Sequence, residues 1–243
     1  MTNPLYDSIG TGYARLRRPD PRIAARVEEA LGGARTVVNV GAGTGSYEPA
    51  GRRVVAVEPS TVMVRQRPPG SAPAVRAVAE ALPFGDGAFD AAMAVLTVHH
   101  WPDWRRGLAE MRRVARGPLA IFTWDPAHEG FWLAEYFPGV WEIDRPRFPA
   151  YSALAEVLGS LEVRPVPIPA DCADGFFGAY WRRPHAYLDP AVRGAISVLA
   201  DVPATDPRLA RLASDLADGT WERRHGAVLT LTELDLGYRL LVS

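Results

Sequence analysis

The sequence predicts a doubly wound α/β fold, and three observations carry that prediction. Short apolar runs alternate with helical stretches through the first half of the chain. Glycines at alternate positions, Gly41, Gly43 and Gly45, follow the run Val37 to Val40. A second apolar run, Val54 to Val57, ends in Glu58. Strand, glycine turn, strand, acid is how such a sheet holds a nucleoside: the glycines let backbone approach the ligand, and the acid accepts from a ribose diol.

The elements follow in order. Ile23 to Leu31 reads as an amphipathic helix stopped by Gly32-Gly33. Strands are expected at 36–40, 53–57, 74–78, 89–96 and 118–124, apolar on both faces as buried parallel strands are. Helices fit at 60–67 and 102–116, the latter with Leu108, Met111 and Val114 on one face. Pro68-Pro69-Gly70 marks a turn before the third strand. After Thr123 the rhythm changes, and residues 125–152 are rich in aromatics. Two more strands are expected, Glu162 to Ile168 and Leu236 to Val242, separated by a helical insert over about 173–225. The expected organisation is an N-terminal arm (1–22) closing a cofactor site, a core of 23–170 and 226–243, and a helical lid or substrate insertion (171–225).

Bulk composition narrows the chemistry. A chain of 243 residues buries a substantial core. Net charge is −1, so no dedicated nucleic-acid surface is implied. All 27 basic residues are arginine, which removes Schiff-base lysines and the lysine of a phosphate-binding P-loop. One cysteine, Cys172, excludes a disulfide framework and a multi-thiolate metal site and fits a reducing cytosol. Pro4, Asp7 and several arginines stand where a signal segment would be apolar, and no run approaches a membrane span. The expectation is a cytoplasmic protein, monomer or homodimer, without nucleic-acid or membrane partners and without a metal; His128, His185 and His225 lack ligand spacing.

Ligands of a parallel sheet sit at the carboxyl ends of its strands. Four loops lie there: Gly41 to Ser46, Glu58 to Ser60, Ala79 to Phe84, and Leu96 to Trp101. A nicotinamide fingerprint prefers glycine at position 46, where this chain has Ser46.

Together, VVNVGAGTG, AVEPS and AEALPFGDGAFDAAMAVLTVHHW resemble the class I S-adenosylmethionine-dependent methyltransferases of small-molecule type. The resemblance covers residues 5–125, with ALPFGDGAFD its sharpest part. It implies a Rossmann-like, seven-stranded mixed sheet with a helical lid insertion. S-adenosyl-L-methionine is the implied cofactor, S-adenosyl-L-homocysteine the product, and a small molecule the acceptor. Carried over by position, Asn39, Gly41, Ala42 and Gly43 line the methionine and ribose. Glu58 binds the ribose hydroxyls, with Pro59 and Met63 beside the adenine. Ala79 and Glu80 meet the adenine edge, and Leu96 and Thr97 pack beneath the cofactor. Tyr13 and Arg18 match an N-terminal pattern closing over the methionine end, Arg18 as a carboxylate clamp; Tyr6 is a second tyrosine of that arm. The chain departs from the family pattern at Asn39, where an acid is usual, and at Val78, where an aspartate often holds the adenine amine.

Methyl transfer of this kind is an in-line displacement in which the protein chiefly aligns the nucleophile. His100 and His99 follow the fourth strand and are the expected bases, His100 ahead, with Tyr13 a further catalytic expectation. Trp101, Trp132, Tyr180 and Arg183 are the expected substrate contacts, suited to an aromatic or anionic acceptor. The acceptor atom, O, N or C, stays open. Two other readings stand beside methyl transfer: a cyclase or isomerase that keeps the cofactor as scaffold, and a non-catalytic binding or regulatory protein.

Overall fold

The computed structural model describes residues 13–243, without the side chains of Tyr13 and Ala14. Residues 1–12 of the expected arm, Tyr6 among them, lie outside the described residues.

Strands β1 (Thr36–Val40) and β2 (Arg53–Val57) form where the two apolar runs predict them. β4 (Ala91–Val95) and β5 (Leu119–Trp124) lie within the expected runs. β3 is only Ala74–Val75, an edge strand that pairs with β2 alone before the chain turns out at exposed Arg76. The expected strand 162–168 is split into β6 (Glu162–Pro165) and β7 (Ile168–Pro169). Pro165, Pro167 and Pro169 explain the break, because proline has no N–H to continue a ladder. β7 pairs with β8 (Glu233–Leu234), so the insert leaves and returns through a small ladder. β9 is Tyr238–Val242.

The main sheet has seven strands in the order β3-β2-β1-β4-β5-β9-β6. β3 to β5 are parallel, and β9 runs antiparallel to both β5 and β6. The order reverses between β1 and β4, the switch point beside which such sheets open a ligand crevice.

Two apolar layers cover the sheet. Alternation along β1 sends Val37 to one face and Val38 and Val40 to the other. On the second face lie helices Trp104–Val114 and Tyr151–Leu158. Asp103 starts the former by accepting from the Arg106 N–H, and Leu108, Met111 and Val114 are its buried stripe. On the first face lies Pro21–Ala30, with Asp20 at its cap and Ile23, Val27 and Ala30 inward. The same apolar cluster contains the insert and the aromatic segment 131–148. That segment, expected as core, thus shares a layer with 171–225; Trp132 donates to the Trp181 carbonyl across it at 2.7 Å. Among the described residues no helix is long and apolar enough to cross a membrane.

Asp20 ties three parts together. Its Oδ1 accepts from the Arg22 backbone and Nε, both at 3.0 Å, and its Oδ2 from Arg22 Nη2 at 2.7 Å and the Ala173 N–H at 3.0 Å. Burial raises its pKa, but these donors outweigh it and hold the carboxyl at about 2. Because the folded value lies below the unfolded one, this stabilisation is complete above about pH 4 and fades as the pH falls toward 2. Asp20→Ala removes the cap and strands two donors, for an expected loss of about 2–3 kcal/mol in urea unfolding at pH 7. Near pH 2 the variant and the parent should converge; an equal gap at both pH values contradicts the assignment.

Candidate active site

At the carboxyl ends of β1, β2 and β4 lies a cavity of about 360 Å³. Its floor is the turn after β1. Gly41 adopts φ +71, a left-handed conformation that glycine takes without steric cost. The Gly41 and Ala42 N–H groups both donate to the Val57 carbonyl, at 2.9 and 3.0 Å, which pins the turn to the end of β2.

Glu58 leaves β2 beside this turn, 6% exposed. Its Oε2 accepts from the Gly43 N–H at 2.8 Å and its Oε1 from the Ser60 N–H at 2.9 Å. Both carboxylate oxygens are thereby fixed at the cavity wall. Ser60 then caps helix Thr61–Arg65, accepting from the Met63 N–H at 3.2 Å, and this places Met63 in the wall.

Asn39 lies in β1 and is 1% exposed. Its Nδ2 donates to Glu48 Oε1 at 3.3 Å, which settles the amide's orientation. Its Oδ1 lacks a hydrogen-bond partner and the residue lines the cavity. A buried acceptor left orphaned costs about 1–3 kcal/mol unless a ligand supplies a donor. Glu48 itself is held by Arg67 through both oxygens, at 2.7 and 2.8 Å.

The third wall comes from the end of β4. Leu96 has φ +49, strained for a side chain with a Cβ, and strain of this kind gathers at ligand sites. Thr97 accepts from Trp101 Nε1 at 3.3 Å, and the indole is seated against Gly107, where a Cβ would lie 2.5 Å from the ring. The turn Val98–His100 follows. His100 lines this cavity and also a second, smaller one of about 60 Å³ beyond it. Arg17 and Leu96 line both as well. Burial, with the charges of Arg147 and Arg17, holds His100 at about 4 and His99 well below its usual value. Both imidazoles are therefore neutral at pH 7 and able to accept a proton.

Most of the expected site residues meet here. Asn39, Gly41, Ala42, Gly43, Glu58, Pro59, Met63, Ala79, Glu80, Leu96, Thr97, His100 and Trp101 all line the first cavity, and His99 lines the second. Arg18 does not: it is exposed, and its neighbour Arg17 occupies the wall instead. Arg17 Nε donates to buried Asp174 at 2.6 Å, the tie that turns it inward. The Tyr13 side chain lies outside the described residues. Three expected substrate contacts line neither cavity. Trp132 is packed among Tyr136, Tyr187 and Trp221. Tyr180 stacks under the exposed Arg183, whose Nη2 is held by the Cys172 and Ala179 carbonyls. Val78 sits at the lip, 47% exposed. Phe148, of the aromatic segment, lines the second cavity; Tyr47 and Asp144 were not anticipated, and of these only Tyr47 had a local signal, its place in the glycine turn. Among the described residues no group of three or more His, Cys, Asp or Glu is placed to hold a metal.

Comparison with known proteins agrees with this geometry. Residues 38–118 match the family model of a methyltransferase domain. A crystal structure from Anabaena variabilis, described as a candidate methyltransferase of an antibiotic biosynthesis pathway, is 34% identical with a TM-score of 0.86, covering 94% of this chain and 98% of its own. The chloroplastic 2-methyl-6-phytyl-1,4-hydroquinone methyltransferase 2 of Oryza sativa subsp. japonica is 39% identical over 64 residues, 26% of this chain. That match spans only 18% of the rice protein's length. The [4+2]-cyclase SpnF, 18% identical with a TM-score of 0.54 over 98% of this chain and 90% of its own, shares the fold. With 34% identity across nearly the whole of both chains, and a glycine turn and buried acid where the family carries them, the chain belongs to the class I S-adenosylmethionine-dependent methyltransferases.

Proposed function

We propose that the chain transfers a methyl group from S-adenosylmethionine to a small-molecule acceptor, with the nucleoside in the 360 Å³ cavity. The observation that carries this is that two cavities share Arg17, Leu96 and His100 in their walls. One cavity is built for a nucleoside, and the other brings a neutral base to its boundary.

The residues fit the cofactor on observations of their own. A Cβ added at Gly41 would lie 2.0 Å from Thr97 Oγ1, so only glycine leaves this cradle open. The orphaned Asn39 Oδ1 supplies the acceptor that an ammonium needs, without the charge of an acid. Glu58 offers two anchored oxygens to a ribose diol. Arg17 brings positive charge to the wall for a carboxylate. Ala79 and Glu80 line the adenine end, where Val78 leaves recognition to backbone and packing.

When bound, S-adenosylmethionine supplies an electrophilic methyl on a good leaving group. The chain's part is to hold the acceptor in line, exclude water and take up a proton where the acceptor releases one. His100 is the group placed for that: neutral, half-buried, and at the boundary of both cavities.

With a methyl-labelled donor and a metabolite panel, label should pass to an acceptor with release of the homocysteine product. His100→Ala should lower turnover by about 10²-fold or more while leaving nucleoside affinity within about tenfold. Unchanged turnover removes His100 as the base. Because the base works only when neutral, its contribution should hold from pH 7 to about 5 and fade toward 4. Gly41→Ala should lower affinity for S-adenosylhomocysteine by about tenfold or more in titration calorimetry, since alanine is strained at this φ by about 1–2 kcal/mol and collides with Thr97. Parental affinity in that variant contradicts the cradle.

A further inference from the structure

We infer that the second cavity is a chamber for a flat aromatic acceptor bearing a hydroxyl, which it favours over a bare ring and over saturated alcohols. This rests on the methyl-donor reading and narrows it.

The chamber is walled by rings arranged in planes. Phe148 stacks on His99 at 4.1 Å between centroids and 21° between planes. Trp124 stacks on Trp141 at 5.3 Å and 16°. Phe177 meets Trp141 edge-on at 4.8 Å, and Phe176 tilts against Tyr238 at 4.7 Å. These walls belong to five parts of the chain: the turn after β4, the β5 end, segment 141–148, the insert and β9. Tyr238 is fixed by accepting from the Gly178 N–H at 3.1 Å, so the insert is seated directly on the sheet. Ring faces and edges set in this way receive a planar conjugated ligand better than a puckered one.

The polar atoms define the rest. His99 lines the chamber, and its Nδ1 is buried with no hydrogen-bond partner. His100 stands against it at 3.9 Å between ring centroids. Two neutral imidazoles offer both an acceptor and a donor to one hydroxyl, which is itself donor and acceptor. Asp144 lines the wall, 3.4 Å from Arg147, and burial pushes its carboxyl up to about 6 against the pull of that arginine. The charges of Arg17 and Arg147 are felt at both histidines. Burial and these charges keep both imidazoles neutral before the reaction. In the transfer, the acceptor oxygen gains the methyl group and loses its proton to His100. The methyl–sulfur bond breaks with its electron pair left on sulfur, and the positive charge of the sulfonium ends on the imidazolium.

At about 60 Å³ the chamber admits the reacting edge of a ring; the remainder of the acceptor enters past partly exposed Phe177, Ser197 and Val198. That mouth supplies a test independent of turnover. With the protein saturated by S-adenosylhomocysteine, 1-naphthol, naphthalene and cyclohexanol are titrated by calorimetry or competition. Naphthol should bind about tenfold or more tightly than the other two. Val198→Trp and Ser197→Phe, which fill the mouth from a partly exposed position, should each weaken naphthol by about tenfold with homocysteine-nucleoside affinity and melting temperature unchanged. Equal or tighter binding of naphthalene or of the saturated alcohol overturns the proposal. So does naphthol binding that ignores both folded variants, or nucleoside binding without naphthol binding. Failure of S-adenosylmethionine and S-adenosylhomocysteine to bind at all overturns the donor reading and this proposal with it.

Discussion

The site depends on one buried carboxylate. Asp174, 1% exposed, belongs to the insert. It accepts from Arg17 Nε at 2.6 Å and from the Tyr47 hydroxyl at 2.8 Å. Arg17 belongs to the N-terminal stretch and Tyr47 to the glycine turn, so three segments distant in sequence converge on it. The Asp20 N–H reaches the same Tyr47 oxygen at 3.4 Å, and Asp20 in turn receives the Ala173 N–H. Removing one partner of such a buried pair costs about 3–5 kcal/mol, because the other charge is left uncompensated. The consequence is positional as well as energetic. Arg17, which lines both cavities, is tied inward by Asp174, and the insert lies against the sheet partly because Asp174 is held there.

A second constraint concerns charge in the nucleoside cavity. The family's usual acid on β1 is replaced by Asn39, yet an acid stands nearby in Glu48. Arg67 occupies both oxygens of that acid, so the pair orients Asn39 without lending it net charge. The cavity thus presents at Asn39 a neutral acceptor whose direction is fixed. Glu58 stands at another wall, where two backbone N–H groups hold it.

Local patterns made most of the sheet and the nucleoside cavity legible. β1 and β2 were readable to the residue, because an apolar run bounded by a glycine turn or an acid has no competing local structure. The glycine turn, Glu58 and the fourth loop carry their own spacing. Other features depend on contacts that no local pattern encodes. Arg17 and Arg18 are adjacent, and only Asp174, 157 residues away from Arg17, decides which turns inward. Trp132 and Tyr180 have the composition of a ligand cage but fill the layer between the insert and the sheet. Phe148 and Asp144 reach the second chamber from a segment whose periodicity is weak, and β6 ends where prolines interrupt an otherwise plausible strand.

Calorimetric titration of the protein with S-adenosylmethionine, S-adenosylhomocysteine and NAD, repeated with Glu58→Ala, tests the central claim most directly. The account predicts that the two methionine-derived nucleosides bind at one site and NAD does not, and that loss of the Glu58 carboxylate weakens both by about tenfold or more. Preference for NAD, or full affinity for the adenosyl ligands without Glu58, would contradict it.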